Sequence, residues 1–176
     1  MKNIVVATDG SKGGQKALAA ASDLAKAESA KLIIVNVVDP APLSDELAEF
    51  GQVEFESALA KRGAMIGVGV GGPYQGMAWR DALQLSEGQS SLLRQVVSDS
   101  ILAHASDKAR KSGVADVETV SSLCDAANEI IRAAQTTHAD LIVVGRRGLG
   151  TLSEILLGSV SQKVLHRSHI DVLAVA

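Results

Sequence analysis

Short runs of continuous apolar residues alternate along this chain with longer stretches in which apolar positions recur every three or four residues. Asn3 to Thr8 (NIVVAT), Lys31 to Val38 (KLIIVNVV), Asp116 to Ser121, Ala139 to Val144 (ADLIVV) and Asp171 to Ala176 read as five strands. Between the first two, Lys12 to Ser29 predicts a helix whose apolar stripe is Ala17, Leu18, Ala21, Leu24 and Ala25, with Ser11 as its cap. Gln89 to Lys111 carries Leu92, Leu93, Val96, Val97 and Ile101 at helical spacing and stops at Gly113. Ala126 to Thr137 and about Ser159 to Arg167 are two further helices. Strands alternating with helices imply right-handed crossovers and a parallel sheet in a three-layer sandwich.

The pattern fails between Pro40 and Gly88. Leu43 to Lys61 reads as a helix with Leu47, Phe50 and Phe55 as apolar anchors, and Met65 to Gly76 is dense in glycine, with Trp79 just beyond. A buried structureless loop of that length is improbable, so the segment is expected to be a mobile or partner-contacting insertion at about 41–88 of a single domain spanning 1–176. A second phosphate loop is the sharper alternative, but no clear strand precedes the glycines and no polar helix start follows them.

Composition narrows the picture further. At 176 residues the chain suits one domain with a sound core. Apolar residues make up 47% and aromatics only 2%, so the core is built from Val, Ile, Leu and Ala, which suits a parallel sheet covered by helices. A net charge of −3 and a pI near 5.8 argue against a nucleic-acid partner, which needs a basic face. The one cysteine, Cys124, excludes an internal disulfide framework and fits a reducing cytoplasm. The first apolar run is too short for a signal peptide, and no run approaches the roughly 20 apolar residues of a membrane span. His104, His138, His166 and His169 show no metal-binding spacing. The expectation is a soluble cytoplasmic protein with no nucleic-acid or membrane partner and no protein metal site.

The chemistry concentrates between Gly145 and Ser159 (GRRGLGTLSEILLGS), directly after an apolar strand. Glycines at a strand end let backbone amides approach a ligand, and a fresh helix N-terminus favours an anion. Ser159 with Gln162 three residues on is a capping-box signature. The amides around Gly148 and from Gly158 to Val160, with the Ser159 hydroxyl, are therefore the candidate phosphate ligands. Ser161 is a candidate second hydroxyl, and Arg146 and Arg147 candidate sources of charge. The competing reading is an ordinary loop and helix cap.

With motif and element order in hand, the chain resembles the universal stress protein family. The nucleotide-binding members carry Gly-x2-Gly-x9-Gly-Ser/Thr, and Gly145, Gly148, Gly158 and Ser159 match each fixed position. The opening IVVATDGS and closing SQKVLHRSHIDVLAV resemble the family's first strand and last helix-strand unit. The resemblance covers residues 1–40 and 95–176. It implies a flavodoxin-like or Rossmann-like α/β sandwich with a five-stranded parallel sheet of order 3-2-1-4-5. The crevice of such a sheet lies at the strand C-termini around strand one, where Asp9 and Gly145 both fall. The resemblance further implies ATP as ligand, with Thr8 and Asp9 beside the nucleoside and Val37 holding adenine through its backbone. Mg2+ on the phosphates is in keeping with it. It also implies a homodimer through the last strand, Asp171 to Ala176, an aliphatic edge suited to pairing across a two-fold axis.

One departure stands out. Family members usually carry a glycine after strand three, where this chain reads SSLCDAANE with Cys124 near that place. No Lys, Arg or His flanks Cys124 in sequence, which points to packing rather than a reactive thiol.

Three functions follow. The first is an adenine-nucleotide-binding regulatory protein, with cAMP as a variant ligand and little or no turnover. A slow ATP hydrolase or autokinase is the second, although no positioned base is visible, and TDGSKGG stands where related ATP pyrophosphatases show SGGxDS. The third is a nucleotide-free interaction module. Receiver-domain signalling is disfavoured because strand three ends in Ser121-Ser122, without a phospho-acceptor aspartate.

Overall fold

A computed structural model describes residues 1–38, 87–146 and 157–176, and the side chains among them except those of 87–94 and 96. The parts of the expected insertion between 39 and 86, including the helix expected over Leu43 to Lys61, lie outside the described residues, as do Arg147 and Gly148.

The element order is β1 (Asn3–Ala7), α1 (Lys12–Glu28), β2 (Lys31–Val38), α2 (Glu87–Lys111), β3 (Val117–Leu123), α3 (Ala126–Thr136), β4 (Leu141–Gly145), α4 (Ser159–Arg167) and β5 (Asp171–Val175). All pairings are parallel and the strand order is β3-β2-β1-β4-β5, as the family resemblance implies. β1 sits between β2 and β4, so the connections leave it in opposite directions and open a crevice at the C-terminal rim.

Two aliphatic layers hold the sheet. Ile4, Val6, Leu32, Ile34, Leu141 and Val143 pack against Ala17, Leu18 and Ala21 of α1 and Leu102, Ala105 and Ala109 of α2. The opposite face sets Val5, Ile33, Val35, Ile142 and Val144 against Ala127, Ile130 and Ala134 of α3 and Val164 of α4. Successive strand side chains point to opposite faces, so a central strand that is apolar at each position fills both layers at once. Small alanines on the helices let them sit close over branched strand residues. Among the described residues neither layer contains an aromatic side chain; Phe50, Phe55, Tyr74 and Trp79 lie outside them.

The sequence reading places β2 and α4 within these bounds and most other ends within a residue or two. β3 starts one residue later and runs two residues past the expected end at Ser121. Its polar end stays in the ladder because the hydroxyls have partners. Ser121 Oγ and Ser98 Oγ of α2 share a hydrogen bond of 2.8 Å, and Gln95 Nε2 donates to Ser121 Oγ at 3.2 Å.

Candidate functional site

Three strand ends and one helix start meet at the rim. The register that sets Val6 opposite Val143 carries forward to bring Thr8 level with Gly145, and Ala7 opposite Val35 brings Asp9 level with Val37. Thr8 is buried, and its N–H donates to the Val35 carbonyl at 3.0 Å. The turn beyond it is built by local hydrogen bonds. Gly10 N–H donates to Thr8 Oγ1 at 3.3 Å, and Ser11 N–H donates to Asp9 Oδ1 at 3.0 Å. Ser11 caps α1 as expected, accepting from Gly14 N–H at 3.1 Å. Gly14 answers a close approach: a Cβ there would stand 2.7 Å from Thr8 Oγ1 and 2.8 Å from Asp9 Oδ1. Its absence lets the first turn of α1 rest directly under the Thr8–Asp9 turn.

On the other side of the crevice the chain leaves β4 at Gly145 and re-enters the described residues just before α4. Gly158 N–H donates to the Arg146 carbonyl at 2.8 Å, and Arg146 N–H donates to the Val175 carbonyl at 2.6 Å. Ser161 Oγ, buried, donates to the Gly145 carbonyl at 2.6 Å. These bonds pin the N-terminus of α4 to the end of β4.

One expectation is corrected here. The capping box does not form: Gly158 is the N-cap, no side chain caps the helix, and Ser159 is its first helical residue. The reason is local, since Gly158 already lies in an extended conformation (φ −61°, ψ 151°) that leads into the helix. The Gly158 amide and the Ser161 hydroxyl, both expected at the phosphates, donate here to the carbonyls that anchor α4. The amides of Ser159, Val160 and Ser161 remain the ones that a helix cannot satisfy from four residues back. Ser159 and Val160 are exposed at this end, as is Arg146.

Behind the rim, α3 is tied to α4. Asp125 caps α3 by accepting from Asn128 N–H at 3.0 Å, and its second oxygen accepts from Lys163 Nζ at 3.1 Å. Arg167 donates to Asn128 Oδ1 at 3.1 Å. The Asn128 amide first, and Lys163 second, hold the Asp125 carboxyl below the ordinary carboxylate range. Ser122 Oγ and Arg132 donate to Glu129 Oε2 and lower that carboxyl likewise.

A pH effect with a definite sign follows. A carboxyl depressed in the folded state adds stability that is present above its unfolded value, about 3.9 for Asp, and is lost as pH falls through the folded value. Asp125→Asn keeps the cap, because Asn caps as well as Asp, but removes the charge facing Lys163. The variant is expected to melt slightly below wild type at neutral pH. The gap should close as pH drops below about 4. A gap that stays constant down to pH 2 in thermal melts would refute this.

The whole chain, residues 1–176, matches the model of the universal stress protein family. The chain belongs to that family. Universal stress protein YxiE of Bacillus subtilis is 32% identical over 172 residues, covering 98% of this chain and 97% of its own length. Universal stress protein MJ0531 of Methanocaldococcus jannaschii is 32% identical over 174 residues, covering 99% and 81%. Among solved structures, a universal stress protein in complex with cAMP is similar with a TM-score of 0.61 at 29% identity, over 99% of this chain and 97% of that one. The universal stress protein from Archaeoglobus fulgidus in complex with dAMP shares the fold, with a TM-score of 0.58 at 16% identity over 100% and 98%.

At Cys124, near the place where the family resemblance leads one to expect a glycine, the backbone has φ +132°. That is a conformation an L side chain rarely adopts and glycine takes freely. The cysteine thus sits in a geometry that suits glycine, exposed, between β3 and the cap of α3.

One polar residue of this rim escapes a reading of the sequence. Asn36, buried in β2, donates through Nδ2 to the Thr8 carbonyl at 2.7 Å. The signal was a single amide inside the apolar run KLIIVNVV.

Proposed function

We propose that this protein is an adenine-nucleotide-binding universal stress protein, with the nucleotide lying across the crevice between the β1 and β4 ends. The observation that carries the reading is the α4 N-terminus. It is held at the end of β4 by Gly158 N–H to Arg146 O and Ser161 Oγ to Gly145 O, so that the amides of Ser159 to Ser161 open at the switch point of the sheet. Oriented amides at a helix start are a site for phosphate. Thr8, Asp9 and Val37 supply the nucleoside end, and Gly145, Arg146, Gly148, Gly158, Ser159, Val160 and Ser161 the phosphate end, with Gly158 and Ser161 acting through the anchor. ATP is the expected ligand. Mg2+ would ride on its phosphates and keep its waters, since among the described residues no group of three or more His, Cys, Asp or Glu could hold a metal ion.

The relative solved with cAMP favours a second ligand within the same reading, a cyclic nucleotide. The role is regulatory, with little or no turnover, as a cytoplasmic homodimer. β5 is an edge of the sheet with Leu173 exposed, which suits pairing with a second copy. Among the described residues no helix is long and apolar enough to cross a membrane.

The test begins with the purified protein: mass spectrometry of the supernatant after denaturation, then calorimetric titration with ATP, ADP, AMP and cAMP. Gly158→Val is expected to weaken the bound nucleotide at least tenfold (about 1.4 kcal/mol) with little change in melting temperature. Any residue can adopt the Gly158 backbone angles, so the added bulk acts on the ligand and not on the fold. A protein that is purified empty and binds none of the four nucleotides at millimolar concentration rules the reading out. Sedimentation of the same sample reads the dimer.

A further inference from the structure

The β1–β2 ladder ends in an unusual way. In a parallel pair, successive residues of one strand turn their N–H and C=O groups alternately to the neighbour on either side. On β2 the odd-numbered residues face β1, since Lys31 N–H donates to the Lys2 carbonyl and the Val35 carbonyl accepts from Thr8 N–H. The even-numbered ones face β3, as Leu32 N–H donating to the Asp116 carbonyl shows. Advancing two residues on each strand, the rung after Val35 would run from Val37 N–H to the Thr8 carbonyl. That rung is missing among the described residues. The Thr8 carbonyl is taken by the Asn36 side chain, whose Nδ2 lies 2.7 Å away.

The substitution has a consequence for the rim. Thr8 and Asn36 are both buried, only 6% and 4% exposed, so a donor must reach the Thr8 carbonyl from within the protein. If Asn36 supplies it, Val37 need not. The Val37 N–H then points toward the β1 side of the sheet just where β1 has ended, level with Asp9, with no described carbonyl to receive it. Such an amide suits a ring nitrogen or another acceptor in the edge of a planar heterocycle.

We propose that Asn36 is a positioning residue, whose side chain replaces the last ladder rung and so keeps the Val37 backbone amide directed into the crevice. The part concerning the ligand rests on the nucleotide reading above; the part concerning the amide does not. A buried asparagine that merely stabilised the fold would loosen this corner when removed. A rung substitute predicts the opposite, because the Val37 N–H is free to close on the abandoned Thr8 carbonyl.

The deciding measurement is hydrogen exchange at the Val37 amide, by NMR on the nucleotide-free full chain. In the wild type it is expected to exchange quickly relative to Val35. In Asn36→Leu, protection should rise at least tenfold while affinity for AMP falls about tenfold. Asn36→Ala is the second donor-free variant, should the leucine fail to fold. Asn36→His is the rescue: its Nδ1 lies as many bonds from Cα as the asparagine Nδ2, so as a donor it should restore both fast exchange and affinity. Protection that stays level or drops in the donor-free variants overturns the proposal. Rising protection in a protein that binds no AMP even as wild type supports the role of Asn36 and sinks the nucleotide reading instead.

Discussion

Ile142→Ala is expected to lower stability by about 3 kcal/mol, a drop of roughly 6–12 °C in melting temperature for a domain of this size. Ile142 lies in β4, beside the central strand β1, has no exposed surface, and is flanked in register by Val5 of β1 and Val172 of β5. It belongs to the layer closed from above by Ala127, Ile130 and Ala134 of α3 and Val164 of α4. Removing three carbons there forfeits their transfer free energy and leaves a cavity besides. The neighbours are β-branched or already alanine, and stiff side chains collapse poorly into a void. Ile142→Val, which takes out one methyl, should cost about 1 kcal/mol. Thermal melts of both variants provide the check. An alanine variant that melts within 2 °C of wild type would mean that α3 and α4 slide inward to fill the space.

Cys124→Gly is expected to move stability the other way, by about 1–2 kcal/mol, which is a gain of roughly 2–8 °C. A side chain held at φ +132° strains the backbone by an amount on the order of 1–3 kcal/mol. Glycine removes that strain and gives back several tenths of a kcal/mol through the greater freedom of the unfolded chain. The thiol loses little in exchange, because it is exposed and forms no disulfide. Cys124→Val is the counter-experiment. Its branched Cβ suits the same backbone angles worse, and it should melt below wild type. If glycine fails to raise the melting temperature, the loop must relieve its strain by another route.

Much of this architecture was legible in the sequence because it is carried by local pattern. Continuous apolar runs such as KLIIVNVV are buried on both faces, which only a central parallel strand permits. What escaped reading depends on partners far away along the chain. Ser121 and Ser122 look like the start of a loop until Ser98 and Gln95 of α2 and Glu129 of α3 are brought to them. Asn36 looks like an interruption of a strand until Thr8, 28 residues earlier, is seen to take its amide. At the start of α4 the motif named the residues but not the bonds they make. Spacing records which residues are near the helix start, whereas the Gly145 and Arg146 carbonyls decide which donors are already committed. The positive φ at Cys124, likewise, is a backbone property that the side chain itself does not announce.

The aliphatic make-up of the described layers has a practical side. Phe50, Phe55, Tyr74 and Trp79 all fall between positions 39 and 86, so the described sheet and helices carry no tyrosine or tryptophan. A single tryptophan introduced into the layer beneath α3, with Trp79 replaced, would therefore place the one indole of the chain at a known point of the sheet.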